Sequence, residues 1–160
     1  MIVVVTDVAA PAQVLHDLVL DVDVHAESLR GSGESATTST GRRTLAEGDE
    51  VTFRARHLGV RWTMTSRVTT VERPHRIVDE QVRGPFRRMR HEHVFAPGPR
   101  GTRMTDRMEV ALRGGPVGAL VVRLVAEPYL RRLLRERADH LRSVAEGGSS
   151  TRRARPTSTT

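Results

Sequence analysis

Apolar and polar positions along the chain repeat with two periods, and the change between them divides it. Ile2 to Val8 reads as a strand. Pro11 then stands where a first helical turn tolerates it, and Val14, Leu15, Leu18 and Val19 recur at helical spacing. A short second helix, or a turn rich in Asp and His, is expected from Val22 to Leu29. From Glu34 to Leu112 the period is two, cut by turn signals at Gly48-Asp49, Leu58-Gly59, Arg73-Pro74, Gly84-Pro85 and Pro97-Gly98-Pro99. Strands are predicted near 34–43, 50–57, 61–72, 75–83, 87–96 and 102–112. Their spacing suits an antiparallel meander, about seven strands with the first. Beyond Gly114-Gly115-Pro116 a helical stripe begins at Val117, Leu120, Val121, Leu124 and Val125 and continues through Leu130, Leu133, Leu134, Ala138, Leu141 and Val144. Pro128 lies inside it and predicts a kink or a split. This helix is expected to cover the sheet. After Gly147 the apolar periodicity ends, so residues 1–146 are read as one folded domain and 147–160 as a disordered tail.

Arginine marks the wet face of each strand, because a guanidinium is rarely buried unpaired. Arg54 and Arg56 place Val51, Phe53, Ala55 and His57 inward; Arg61 and Arg67 do the same for Trp62, Met64, Ser66 and Val68. Arg88 and Arg90 turn Met89, His91, His93 and Phe95 inward, and Arg103 and Arg107 turn Met104, Asp106, Met108 and Val110 inward. Strand 75–83 has arginines of both parities; Ile77, Asp79 and Gln81 are taken as inward. The resulting interior is mixed: several His, Asp and Gln residues share a face with Trp and four Met. Buried polar groups need partners or water, and methionines pack around irregular shapes. That pattern fits a partly polar cavity under the helix. A closed network, for example His93 bonded to Asp106 with no ligand, is the alternative.

Composition narrows the chemistry. The chain has 160 residues, enough for one domain with its own core. It has no cysteine, which excludes disulfides, thiolate nucleophiles and Cys-based metal sites. All 26 of its basic residues are arginine, so Schiff-base and P-loop chemistry are excluded too. The net charge is +7, but the tail carries three arginines and no acid, leaving about +4 on the folded part. With few aromatics, and those inward, a solvated outer face is expected in place of a nucleic-acid stripe. No run reaches the roughly 20 apolar residues of a membrane span, and the start lacks a basic n-region, so a cytoplasmic location without membrane insertion is expected.

Several phrases occur in a familiar order: DVHAES at 23–28, Gly33-Glu34, GDEVTF at 48–53, RARHLG at 54–59, DEQ at 79–81, GPF at 84–86, RHEHVF at 90–95 and MTDR at 104–107. With strand, short helices, antiparallel strands and long C-terminal helix, the chain resembles the START/polyketide-cyclase-like superfamily (SRPBCC), and more closely an uncharacterised bacterial group within it. The resemblance covers about residues 2–145. It implies an α+β helix-grip fold, a curved antiparallel sheet around the C-terminal helix, and a cavity for lipids, sterols, polyketides or other hydrophobic molecules. It implies no particular reaction. Where relatives tend to carry aromatics, this chain has Leu15, His16 and Met89, which reshapes the pocket.

The expected ligand is accordingly a hydrophobic small molecule or polyketide intermediate, lined by His57, Trp62, Met64, Asp79, Gln81, Met89, Phe95, Met108 and Tyr129, with His25 and Glu34 at the cavity mouth. A catalytic reading uses His91, His93 and Asp106. One imidazole, oriented by the carboxylate, removes a proton alpha to a carbonyl while the other, or Gln81, holds the enolate oxygen, as in polyketide cyclisation or dehydration. A non-catalytic interaction module using the basic outer sheet is a further alternative. The His-x-His pair also raises a metal reading with Asp106 or His57 as third ligand. The Glu that a cupin-type pair uses is absent, since Ala96 and Pro97 occupy its place, and neither metal nor cofactor is expected.

Overall fold

The computed structural model describes residues 1–28, 35–57 and 60–153, with 57, 60 and 148–153 described in backbone only. Strand β1 (Ile2–Val8) leads to helices α1 (Ala12–Leu20) and α2 (Val22–Ser28). Then come β2 (Ser35–Thr38), β3 (Glu50–His57), β4 (Val60–Glu72), β5 (Arg76–Arg83), β6 (Arg88–Gly98) and β7 (Gly101–Ala111). They form one antiparallel sheet in the order β1-β7-β6-β5-β4-β3-β2. The meander is as predicted, and β1 returns to pair with β7 at its far edge. The first predicted strand is shorter than the 34–43 expected, because the chain turns after Thr38 and Thr44 bridges back to Asp21. Glu34 lies outside the described residues.

The C-terminal helix comes in three parts: α3 (Gly115–Val121), a π turn at Val122–Ala126, and α4 (Glu127–Arg153). The π turn ends two residues before Pro128, which has no N–H to give and whose ring crowds the carbonyl four residues back. This is the split the proline predicts. The helix does not cover the sheet evenly. Leu134, Ala138, Leu141 and Ala145 are buried against Ile2, Val4, Leu15 and Met104, whereas Val117, Leu120 and Leu124 on α3 and the π turn stay exposed. The stripe predicted as continuous cover therefore packs only in its second half. Helix α4 also continues past Gly147 to Arg153, whereas the composition places the boundary at Gly147. Glycine costs a helix about 1 kcal/mol, which does not oblige it to end.

Register settles which side chains share a face. On β6, His91 is opposite Asp79 of β5 and Met108 of β7, and His93 is opposite Ile77 and Asp106. Directly opposed residues point the same way, so Asp79 is inward and Arg83, exposed at the strand end, does not disturb the parity. The opposite face of the same three strands is fastened by Glu92. Its carboxylate accepts hydrogen bonds from Arg76 Nε at 2.9 Å, an Arg90 terminal nitrogen at 3.2 Å and an Arg107 terminal nitrogen at 3.3 Å. Burial raises the Glu92 pKa, but these three guanidiniums outweigh it and hold the group below its ordinary value.

Glu92→Gln should cost about 1–3 kcal/mol in urea unfolding, since it removes charge-assisted bonds from a side chain only 11% exposed. Arg107→Ala, at a side chain 48% exposed, should cost under about 1 kcal/mol. Equal costs for the two variants would refute a network centred on Glu92.

Candidate functional site

The polar centre of the inner face is built by neighbouring strands. Asp106, buried on β7, accepts a hydrogen bond from His93 Nδ1 at 2.5 Å. The same Asp106 oxygen lies 3.4 Å from His91 Nε2. The two imidazoles alternate along β6 on one face, with ring centroids 4.0 Å apart. Their other nitrogens face Asp79 on β5: His91 Nδ1 and His93 Nε2 each stand 3.9 Å from Asp79 Oδ1. One carboxylate thus backs both rings, and a second stands before them.

A cavity of about 300 Å³ adjoins this cluster, between the sheet and the C-terminal helix. Of the expected residues, Trp62, Met64, Asp79, Met89, His91, His93, Met108 and Tyr129 line it. His25, expected at the cavity mouth, also lines it, stacked on Phe53 with ring centroids 4.2 Å apart. Val121 and Val125, 42% and 50% exposed, are the most open members of the wall.

Three expected residues are placed elsewhere. Gln81 does not face the ligand space: its amide donates to the Phe86 carbonyl at 2.8 Å and accepts from the Phe86 N–H at 3.3 Å. A polar side chain next to a tight turn satisfies that turn first. Gly84 makes the clamp possible, at φ +156°, because a Cβ there would collide with Gln81 Oε1. Phe95 packs under α1 against His16, with centroids 5.9 Å apart, because β6 runs beyond the cavity there. Asp106 stands behind the histidines and not among the lining residues. The side chain of His57 and all of Glu34 lie outside the described residues.

Arg137 is a cavity-lining residue that the strand parity does not reveal. It is buried on α4 and lines the cavity. Its signal is present in the helix: a guanidinium seven residues after Leu130 and four before Leu141, on the apolar stripe.

The family described as polyketide cyclase / dehydrase and lipid transport matches residues 1–146. The chain belongs to this family. Solved structures agree on the fold. TTHA0849 from Thermus thermophilus is similar with a TM-score of 0.70 and 18% identity, covering 90% of this chain and 98% of that one. The di-domain ARO/CYC BexL from the BE-7585A biosynthetic pathway gives a TM-score of 0.73 and 23% identity, over 96% of this chain and 50% of BexL. CV1439 from Chromobacterium violaceum gives 0.66 and 16%, over 91% and 96%. No curated protein matches the chain. The superfamily resemblance and the helix-grip architecture are thus met. Membership in the polyketide cyclase / dehydrase and lipid transport family supports small-molecule binding or cyclase chemistry in general and specifies no substrate. Among the described residues no helix is long and apolar enough to cross a membrane.

The electrostatics of this family member's cavity favour uncharged His93 and His25. Burial, reinforced by the neighbouring His91, outweighs the attraction of Asp106 and pushes His93 down to about 4. His25 is held well below the ordinary histidine value by burial, with Arg137 adding to the effect. Burial works the other way on Asp106, but the hydrogen bond from His93 and the close approach of the His91 ring win and keep its carboxyl low. An unfolded histidine takes up a proton as pH falls through 6.5, whereas folded His93 does so only near 4. Between those values the unfolded chain binds more protons, so stability falls with pH and the His93 contribution levels off below about 4. Asp106 adds a loss below 3.8, where the unfolded carboxylate protonates and the folded one resists. Urea midpoints should therefore decline across that histidine window, and the decline should be shallower in His93→Gln. A flat wild-type profile would contradict a neutral buried His93.

Proposed function

We propose that the chain binds a mostly apolar small molecule, hydrophobic or polyketide-like, whose oxygenated end sits at the polar corner of the cavity. The observation that carries this reading is the division of the wall. Apolar side chains, among them Phe53, Trp62, Met64, Met89 and Met108, form most of it, while Asp79, His91 and His93 are gathered together and the Arg137 charge acts on His93 from α4. Pockets for small molecules have this form, with a few placed polar groups setting orientation, and about 300 Å³ is at the lower end of their size range. The methionines allow adjustment to an irregular ligand. Family membership and the fold shared with an aromatase/cyclase support the ligand class.

A second reading, polyketide cyclase or dehydratase activity, rests on the His93–Asp106 bond. With Nδ1 donating to Asp106, His93 presents an unprotonated Nε2 toward Asp79 and the cavity. That nitrogen is placed to take a proton alpha to a ligand carbonyl, and Arg137 is the cation on the cavity wall for the enolate oxygen that results.

Trp62 is the single tryptophan of the chain and lines the cavity, so its fluorescence reports occupancy directly. Titration with a panel of fatty acids, sterols and aromatic polyketides should give saturable quenching for at least one class. Met89→Phe, by filling the space without adding a tryptophan, should weaken that binding by at least about tenfold, the effect of roughly 1.4 kcal/mol. Absence of saturable binding across the panel, together with no co-purifying ligand in native mass spectrometry, would reject the binding reading. For the second reading, His93→Ala should lower turnover of a cyclisable substrate by about 10²–10⁴-fold. Undiminished turnover in that variant would dismiss the acid–base role.

A further inference from the structure

We propose that Asp79, His91 and His93 form a site for one divalent transition-metal ion of the zinc or ferrous type. One ligand atom from each of the three lies within 4.8 Å of the other two, and the nitrogens that stand nearest Asp79 Oδ1 are His91 Nδ1 and His93 Nε2. Two nitrogens and one carboxylate oxygen are the donor set such ions take, and hard cations with oxygen-only preference do not.

The strand geometry explains the convergence. His91 and His93 are alternate residues of β6 and share its inner face, while Asp79 is the cross-strand partner of His91 on β5. On a tetrahedral ion with bonds of about 2.0–2.2 Å, neighbouring donors stand roughly 3.3–3.6 Å apart. Asp79 Oδ1 is now 3.9 Å from each donor nitrogen. A shift of about half an ångström in the Asp79 side chain brings it into range on that geometry. Asp79 is also the least confined of the three, at 21% exposed against 3% and 1% for the histidines.

Asp106 supplies the second argument. A metal-bound imidazole carries its proton on the metal-free nitrogen, which usually donates to a carboxylate. Here both metal-free nitrogens face Asp106: His93 Nδ1 donates to it, and His91 Nε2 lies 3.4 Å from the same oxygen. His91 Nε2 is buried and makes no aligned hydrogen bond, so it is poised for the small rotation that turns Nδ1 onto an ion and Nε2–H toward Asp106. Charge also permits a cation. Asp79 and Asp106 together exceed the one positive charge of Arg137 on the cavity wall. Three protein donors leave the remaining coordination positions facing the cavity, where water or a ligand oxygen completes the shell. This inference stands apart from the identity of the organic ligand, and with an ion in place the histidines are donors and not proton acceptors.

The test uses the full-length chain, freed of metal by a chelator and titrated with Co²⁺ and Zn²⁺ alone. The expected result is one equivalent bound, intense visible Co²⁺ bands of low-coordinate nitrogen/oxygen geometry, and a rise in melting temperature of roughly 5–10 °C at a hundredfold excess over Kd. Mg²⁺ and Ca²⁺ should produce no rise. Asp79→Asn, which keeps the side-chain shape, should weaken binding by at least about tenfold, and Asp106→Asn by about 10–100-fold through lost support of the rings. Circular dichroism of the metal-free variants checks that they are folded; Asp79→Asn carries the test if Asp106→Asn is not. Absence of visible bands and thermal shift in the wild type would overturn the site, as would Co²⁺ binding that Asp79→Asn and His93→Gln both leave unchanged. Trp62 titrations with organic ligands are read separately, so failure of the metal site leaves the binding reading intact.

Discussion

The bond between Asp106 and His93 constrains the rest of this structure. A carboxylate on the inner face of a sheet is costly to bury without donors. Asp106 is buried on β7, and its hydrogen-bond donor, His93, comes from β6. The pairing of His93 with Asp106 must therefore hold, and with it the β6–β7 register. A slip by one residue would send Asp106 to the outer face and the histidines away from the cavity. The same register presents His91 to Asp79 on the other side. One buried anion thus decides which faces the polar groups occupy and which imidazole nitrogens look into the ligand space.

The opposite face of the sheet reinforces the arrangement. Glu92 lies between His91 and His93 in sequence but points outward, where arginines from β5, β6 and β7 converge on it. Strands that carry the site inside are thereby held by charge outside. The remaining wall is soft by comparison, with methionines on β4, β6 and β7 and the exposed Val121 and Val125 of the C-terminal helix. A firm polar corner and an adaptable apolar wall suit a cavity that fixes one end of a ligand and tolerates variation in the rest.

Much of this is legible in the residues. Alternating arginines mark the wet face of β3, β4, β6 and β7, and Asp79 follows from choosing Ile77 as inward on β5. The meander and the break at Pro128 are readable because they rest on local chemistry: turn residues and a missing N–H. What escapes depends on tertiary neighbours. Gln81 has the right parity, yet the Gly84–Phe86 turn claims its amide. Phe95 has the right parity too, but α1 covers its end of β6. The helical stripe from Val117 onward reads as cover, and only its second half has sheet and α1 to pack against. Arg137 sits among those apolar positions, and a single charge on a buried stripe is the mark of a cavity residue.

The claim at the centre of this account is that Asp106 fixes the tautomer of His93. Nitrogen-15 NMR of labelled histidine side chains at neutral pH reads it directly. The account predicts a neutral His93 ring protonated at Nδ1, with that proton shifted far downfield by its short bond to Asp106, and loss of the downfield signal in Asp106→Asn. A His93 ring protonated at Nε2, or charged at neutral pH, would contradict it.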